Sequence, residues 1–219
     1  MDNQKQAGLA LVFYELLWFC INKCMNQLSR GQRLQQAYRQ CIAPYSQYVQ
    51  CAVTLTLKTS ALIRVPVFEN HGDTCYEFRE YLDDDKLRST IRYFTALLRH
   101  ELYGNTAKHK NKQHWAQPLV IAVTEGRNTH KRTHLHLAIG NIPTEKLGNI
   151  EQTVTQLWHR CDFAHQQLCV KHANCAQGWL NYITKEVGYT DDDAWDIVSS
   201  TIPQFIQHSI CTESRLQSV

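Results

Sequence analysis

No stretch of this chain reads as a membrane span. The one candidate, GLALVFYELLWFCI at 8–21, carries Glu15 and is shorter than the roughly 20 apolar residues a spanning helix needs, so no membrane partner is expected. A phosphate-cradling G-x-x-x-x-G-K-[ST] loop is also missing, and nucleotide-driven work would therefore need a second protein. Neither sign of charge dominates: 23 Lys and Arg against 20 Asp and Glu give a net charge of +3 and a pI near 8.3. That balance permits a polyanionic partner without demanding one. There is no internal repeat and no low-complexity tract, and 219 residues most simply form one domain with an appended segment.

Cysteine, by contrast, is plentiful. Its nine copies are odd in number and irregular in spacing, with no cleavable leader pattern ahead of them, which points to reduced thiols in a cytoplasm. Hydrophobic content of 43% and charged content of 20% are ordinary for a globular protein.

Taken in order, residues 6–40 have helical spacing, with an apolar stripe of Leu9, Phe13, Leu16, Leu17, Cys20, Ile21 and Cys24; Gly31 divides the run and Pro44 stops it. Residues 48–58 (YVQCAVTLTLK) alternate as a strand, with Val49, Cys51, Val53, Leu55 and Leu57 on one face and Thr54, Thr56 and Lys58 on the other. Residues 60–72 are irregular around Pro66 and read as a connection or short hairpin. Residues 83–103 form a helix whose start suits Asp83, Asp84 and Asp85, since its N-terminal end is positive. A lysine-rich loop follows, with Lys108, Lys110 and Lys112. LVIAVTE at 119–125 is a second apolar strand, leading through the polar tip GRNTHKR into a third. A helix over 144–161, a short strand at 167–171 and a helix over 178–187 complete the core. A further helix is expected over 194–207 until Pro203 disturbs it, with frayed residues beyond. The fold class is α+β: a central antiparallel sheet flanked by helices, with extra helices at the N-terminus. The division is an N-terminal helical extension at 1–44, the main domain at 45–190 and a helical tail at 191–219.

The third strand is THLHLAIG at 133–140. The period of a strand puts His134 and His136 on one face. Alone, such a pair is equally the mark of a half-buried strand carrying two satisfied imidazoles. Glu125 changes this: if it lies opposite His134, its carboxylate reaches the same point at the roughly 5 Å spacing of a cross-strand pair. Two imidazoles and one carboxylate are the makeup of an open divalent-metal site. In the helix at 178–187, Leu180, Ile183 and Val187 form the core stripe, so Tyr182, Lys185 and Tyr189 face the other way. Cys161, His165, Cys169, His172 and Cys175 offer soft ligands at gaps that match no zinc finger, and this region is left open between zinc and buried thiols.

This order of elements, with these residues on them, resembles the HUH endonucleases, in particular the single-tyrosine replication initiators of rolling-circle plasmids, phages and small DNA viruses. The resemblance spans roughly residues 48–187. VTLTLK at 53–58 is similar to the first motif, His134 and His136 to the His-hydrophobe-His metal motif, and Tyr182 with Lys185 in YITK to the nucleophile motif. Glu125 stands nine residues before His134, where several such initiators keep an acidic third ligand. Tyr189 is too far along to complete a two-tyrosine motif, and a glutamate as third ligand argues against the conjugative relaxases.

The resemblance implies a ferredoxin-like core and Tyr182 as nucleophile, with Lys185 placing or neutralising the phosphate. It implies Mg2+ or Mn2+ held by Glu125, His134 and His136. The implied reaction nicks and rejoins single-stranded DNA or an origin hairpin through a 5′-phosphotyrosine linkage and a free 3′-hydroxyl, with a host helicase and polymerase as partners. Lys58, Arg127, Lys131, Arg132 and the lysines at 108, 110 and 112 are the candidates for contacts with the DNA backbone. Three alternatives stand beside it. An HUH transposase would usually carry glutamine in place of Lys185. A histidine-triad hydrolase would need a third histidine where Ala138 stands. A noncatalytic origin-binding or repressor module would be expected to lack a catalytic residue.

Overall fold

The computed structural model describes residues 28–69, 72–109, 112, 115–127, 132–189, 194 and 199–216. The elements run α1 (Arg30–Ile42), a 3-10 turn (Ala43–Tyr48), β1 (Val49–Leu57), β2 (Ser60–Glu69), β3 (Gly72–Tyr81), α2 (Asp84–Tyr103), β4 (Leu119–Glu125), β5 (His134–Gly140), α3 (Thr144–Leu147), α4 (Ile150–Trp158), β6 (Ala164–His172), α5 (Ala176–Ile183) and α6 (Gln204–Leu216). Of the stretch expected to be helical at 6–40, residues 6–27 lie outside the described residues. The remainder is α1, opened by a capping box in which Ser29 and Gln32 satisfy each other's backbone N–H.

Four strands form one sheet in the order β4-β5-β1-β6, every neighbouring pair antiparallel. With α2 crossing from β1 to β4 and α4 from β5 to β6, this is the split βαβ arrangement of a ferredoxin-like core. The molecule is thus α+β as its sequence pattern predicts. Among the described residues no helix is long and apolar enough to cross a membrane.

Alternation along β1 sends Cys51, Val53, Leu55 and Leu57 into a core shared with Ile91, Phe94 and Leu98 of α2 and Val154 and Trp158 of α4. Phe94 and Trp158 meet edge to face at 5.8 Å. The opposite sheet face is covered by a second cluster, in which Leu119, Ile121, Val123 and Ala138 pack with Ile42, Leu180, Ile183 and Ile206. Val49 belongs to this second cluster because an irregularity in pairing between Val49 and Cys51 shifts the phase of the strand by one. The helix expected at 83–103 is α2, with Asp83 as N-cap accepting from the Lys86 N–H at 2.8 Å.

Several other expectations change. The helix expected over 144–161 is two, α3 at Thr144–Leu147 and α4 at Ile150–Trp158. Residues 60–72, expected as a connection or short hairpin, belong to a longer hairpin: β2 and β3 form a two-stranded antiparallel ribbon of ten residues each, reaching Tyr81, with Pro66 opposite Cys75. A separate ribbon tolerates proline, which a central strand does not. The strand at 167–171 extends over Ala164–His172. The last helix begins at Gln204, after Pro203 and not before it. Instead of a helix, the described residues of 194–201 lie along the outer edge of β4: Val120 and Thr201 exchange both backbone hydrogen bonds at 2.8 Å, and the Thr124 N–H donates to Ala194 O at 2.7 Å.

Gly140 ends β5 against the 3-10 turn, and a Cβ there would fall 1.9 Å from Tyr48 O. Backbone cannot move aside as a side chain can. Gly140→Ala is therefore expected to lower unfolding free energy by roughly 1–3 kcal/mol, the usual cost of overpacking, measured from the urea midpoint. An unchanged midpoint would mean that this approach is looser than described.

Candidate functional site

The site is assembled where three adjacent strands end together. In register across the sheet, Thr56 pairs with His134 and His134 with Glu125; one step further in, Thr54 pairs with His136 and His136 with Val123. Odd-even alternation puts all of these side chains on the face covered by α5. Glu125 thus stands opposite His134, as the hairpin register requires. Its carboxylate reaches diagonally, however, and its Oε2 lies 2.7 Å from His136 Nε2. The two threonines of VTLTLK have a definite task. Thr54 Oγ1 lies 3.0 Å from His136 Nδ1 and Thr56 Oγ1 3.1 Å from His134 Nδ1. Each hydroxyl holds one edge of an imidazole and so turns the Nε2 edge outward, the part that outer partners play for histidine ligands.

Tyr182 sits on the last turn of α5, 46% exposed. The Lys185 ammonium donates to the Tyr182 hydroxyl at 2.9 Å, lies 2.9 Å from Glu125 Oε2, and stands 4.1 Å from the centre of the Tyr182 ring. One carboxylate oxygen is therefore shared between an imidazole and an ammonium, and the same ammonium reaches the phenol. Trp179, which sequence reasoning did not single out, stacks on Tyr182 at 5.3 Å, and His136 presents its edge to both rings at 5.6 Å. The indole N–H donates to Leu137 O at 3.1 Å, which ties the tyrosine helix to the histidine strand. The available signal was spacing: Trp179 is three residues before Tyr182 and shares its helical face.

Electrostatics follow from this geometry. Burial pushes the Glu125 carboxyl up, but hydrogen bonds from Lys185 and His136 outweigh it and hold the group down at about 2. Burial lowers His136 more than Glu125 raises it, which favours a neutral imidazole. Lys185 is pulled down by partial burial, yet its bonds to Tyr182 and Glu125 raise it overall, so it stays an ammonium.

Glu125, His134 and His136 are the right donors in kind for a hard or borderline divalent cation, since both imidazoles are held at Nδ1 with Nε2 turned away. Glu125 and His136 already touch. Among the described residues, though, no three His, Cys, Asp or Glu side chains are gathered as a metal ion requires.

The helix that carries Tyr182 ends at Ile183, earlier than its periodicity predicts, and Lys185 lies in the turn beyond, its N–H donating to Tyr182 O at 3.0 Å. The turn is held from α1. Gln35 Nε2 donates to Thr184 O and Lys185 O, both at 2.9 Å, while Arg39 reaches Thr184 Oγ1 at 3.2 Å and Asn181 O at 3.3 Å. These carbonyls belong to the open end of a helix. Gly31 and Gly188 make the approach possible: a Cβ on Gly31 would fall 1.9 Å from Gly188 O.

The basic residues divide. Lys58, Arg127 and Arg132 lie at the same end of the sheet as Glu125 and His134. There Lys58 Nζ reaches Asp162 O at 3.5 Å, Arg127 pairs with Asp84 at 3.1 Å, and Arg132 contacts His165. Lys108 and Lys112 are at the opposite end, beside the segment that Asn141 binds after Gly140. Lys110 and Lys131 lie outside the described residues. The cysteines that could have shared a zinc ion also part company: Cys161 is buried in the α2/α4 core, its thiol pushed up to about 12 by that burial, whereas Cys169 and Cys175 are exposed.

Two outcomes follow. Glu125 is ionised at lower pH in the folded chain than in the unfolded one, so its contribution to stability is present above the ordinary carboxyl range and lost as pH falls from about 4.5 to about 2. Glu125→Gln should flatten the acid limb of a stability profile measured by urea midpoint, and superimposable limbs would mean that the pairing with Lys185 and His136 is not formed. Gln35→Ala should cost about 1 kcal/mol of stability. It should also raise the hydrogen-exchange rate at residues 184–189 without changing that of β1, and equal exchange there would sink the positioning role of α1. Comparison with protein-family models, curated proteins and solved structures finds no match for this chain, so the geometry of the site carries the functional conclusion.

Proposed function

We propose that this chain is a nicking and rejoining enzyme for single-stranded DNA, of the HUH type with one tyrosine, acting at a replication origin. The observation that carries this reading is the shared hydrogen-bond system. A half-exposed phenol touches an ammonium, and that ammonium touches a carboxylate bonded to one histidine of a threonine-held pair. A surface tyrosine with no chemistry to do has no need of such neighbours.

In this mechanism Tyr182 Oη attacks the phosphorus of a phosphodiester. The new bond joins Oη to phosphorus, the bond from phosphorus to the 3′ oxygen breaks, and that oxygen takes a proton from solvent to leave as a free 3′-hydroxyl. The phenolic proton passes to solvent at the exposed side of the ring. A phenol suits reversal, since its ordinary pKa near 10 makes it a far better leaving group than an alkyl hydroxyl. Lys185, kept charged, stabilises the phenolate as it forms and meets the negative phosphate. Trp179 and His136 fix the plane of the ring. Glu125, His134 and His136, the right donors in kind though not gathered as an ion requires, would hold a divalent cation, Mg2+ or Mn2+, only after drawing together around it, and it would then supply charge withdrawal from the phosphate oxygens. Rejoining is the same displacement in reverse, with the 3′-hydroxyl attacking the phosphotyrosine. Lys58, Arg127 and Arg132 stand at the right end of the sheet to meet a DNA backbone, and unwinding would fall to a partner helicase.

The test is incubation with Mn2+ and a labelled pool of single strands carrying a randomised hairpin loop. A DNA adduct that survives SDS is expected, and it should vanish in Tyr182→Phe. Lys185→Ala should slow adduct formation by about 10^2-fold or more, the usual loss when one charge-stabilising donor is removed. His134→Ala with His136→Ala should abolish cleavage while leaving strand binding measurable. A Tyr182→Phe protein that still forms the adduct would overturn the assignment of the nucleophile, and no adduct with any divalent ion would overturn the reading as a whole.

A further inference from the structure

The β2/β3 ribbon leaves the sheet just after Leu57 and returns at Tyr81, and none of the residues of the site above lies on it. Among the described residues it is a sheet of two strands, so both of its long edges are unpaired. Pro66 makes those edges unequal. It stands opposite Cys75 and has no N–H, so this pair is not a hydrogen-bonded one, and the backbone polar groups of both residues point outward. Alternation then turns the backbone of residues 62, 64 and 66 outward along β2, and that of residues 73, 75, 77 and 79 outward along β3. The β2 row is broken by the proline. The β3 row keeps every donor and acceptor, and such an edge is a template for another strand.

The ribbon also holds apolar surface in water. Cross-strand partners share a face, so Ile63 with Phe78 and Val65 with Tyr76 form one apolar side. Ile63 packs against the core. Val65 and Tyr76, further out, are 43% and 62% exposed, and the Tyr76 ring stacks on Phe78 at 5.8 Å.

We propose that the free edge of β3 binds a second copy of this chain, β3 against β3 in antiparallel pairing about a twofold axis at Tyr76, to make a four-stranded ribbon. Parity, overlap and charge decide the register. Only outward residues can form hydrogen-bonded pairs, so odd positions must face odd positions. Two registers meet this condition while leaving out a single residue of β3, overlapping either 72–80 or 73–81. The second sets Glu77 opposite Glu77, and like charges directly opposite are destabilising. The first sets Tyr76 opposite Tyr76 and Cys75 opposite Glu77, and on both sides of the axis it sets Arg79 across from position 73, an aspartate. It also brings Val65 and Tyr76 of each copy into one row across four strands, which removes from water the ring that a single copy leaves exposed. β3 is thus complementary to its own reverse, as an interface between identical chains requires.

The experiment uses the full-length chain. Sedimentation velocity over a range of concentrations should show a reversible equilibrium between the 25.4 kDa monomer and a dimer. Glu77→Pro removes one outward N–H, as Pro66 does on β2, and takes no bond from the β2/β3 ladder. It should raise the dimer Kd by about tenfold or more, the scale of one or two lost hydrogen bonds, with an unchanged circular dichroism spectrum. The register is read by cross-linking with oxidised glutathione in a Cys75→Ser background, where exposed Tyr76 is replaced as Tyr76→Cys. At the axis the two copies of residue 76 form a non-hydrogen-bonded pair with Cα atoms about 4.5 Å apart, within reach of a disulfide. Peptide mass spectrometry should find the 76–76 link, whereas Glu77→Cys in the same background should give no 77–77 link. A chain that stays monomeric at every concentration overturns the proposal. So does a dimer that Glu77→Pro leaves intact and Tyr76→Cys does not link, since it is built on another surface. A 77–77 link in place of 76–76 overturns the register.

Discussion

One carboxylate oxygen organises the end of this molecule where the histidines and Tyr182 meet. Glu125 Oε2 takes a 2.7 Å contact from His136 and a 2.9 Å contact from Lys185, and in doing so it joins two parts of the chain that share no secondary structure. Through His136 it is bound to the sheet. Through Lys185 it is bound to the turn after the tyrosine helix. At only 11% exposure for its side chain, the charge has little water around it, and the bonds from Lys185 and His136 together outweigh the cost of its burial. The position of the phenol is thus set by an acid on a strand that never touches it.

The sheet makes this possible because its register is fixed from both sides. Two apolar clusters cover opposite faces, and a slip of one residue in β5 would drive Leu135, Leu137 and Ile139 toward α5 and bury the histidines in the wrong layer. The outer edge of β4 is bonded at Ala194 and at Thr201, so the strand that carries Glu125 is held at two points on its free side. Core packing and site geometry are here the same constraint.

Much of this was legible in the sequence because it depends on period two. Strict alternation in 48–58 and 133–140, with a loop between 125 and 134, is enough to place Thr54, Thr56, His134, His136 and Glu125 on one face. What stayed hidden depends on distant partners. The apolar stripe of Leu180, Ile183 and Val187 continues unbroken, so the helix reads through to 187. It stops at Ile183, where the Thr184 hydroxyl donates to Leu180 O and Asn181 O and the Lys185 N–H turns to Tyr182 O, while Gln35 and Arg39 hold the turn from α1. The β2/β3 ribbon was hidden for the opposite reason. It leans on the core mainly near its base, at Ala61 and Ile63, while Leu62, Val65, Tyr76 and Tyr81 are exposed, so neither face shows a clean pattern. Trp179 offered a spacing and nothing else.

The clamp from α1 also sets an order in time. Gln35 and the Lys185 carbonyl it binds are 150 residues apart, and the loop between them must close before the contact forms. During synthesis the histidine strand and its threonines can meet as soon as residue 140 has emerged, but the tyrosine turn cannot be fixed until the chain has been made well past residue 185. The Tyr182 phenol is therefore the last of these side chains to be locked, and a chain interrupted short of that point carries the two histidines and the acid without it.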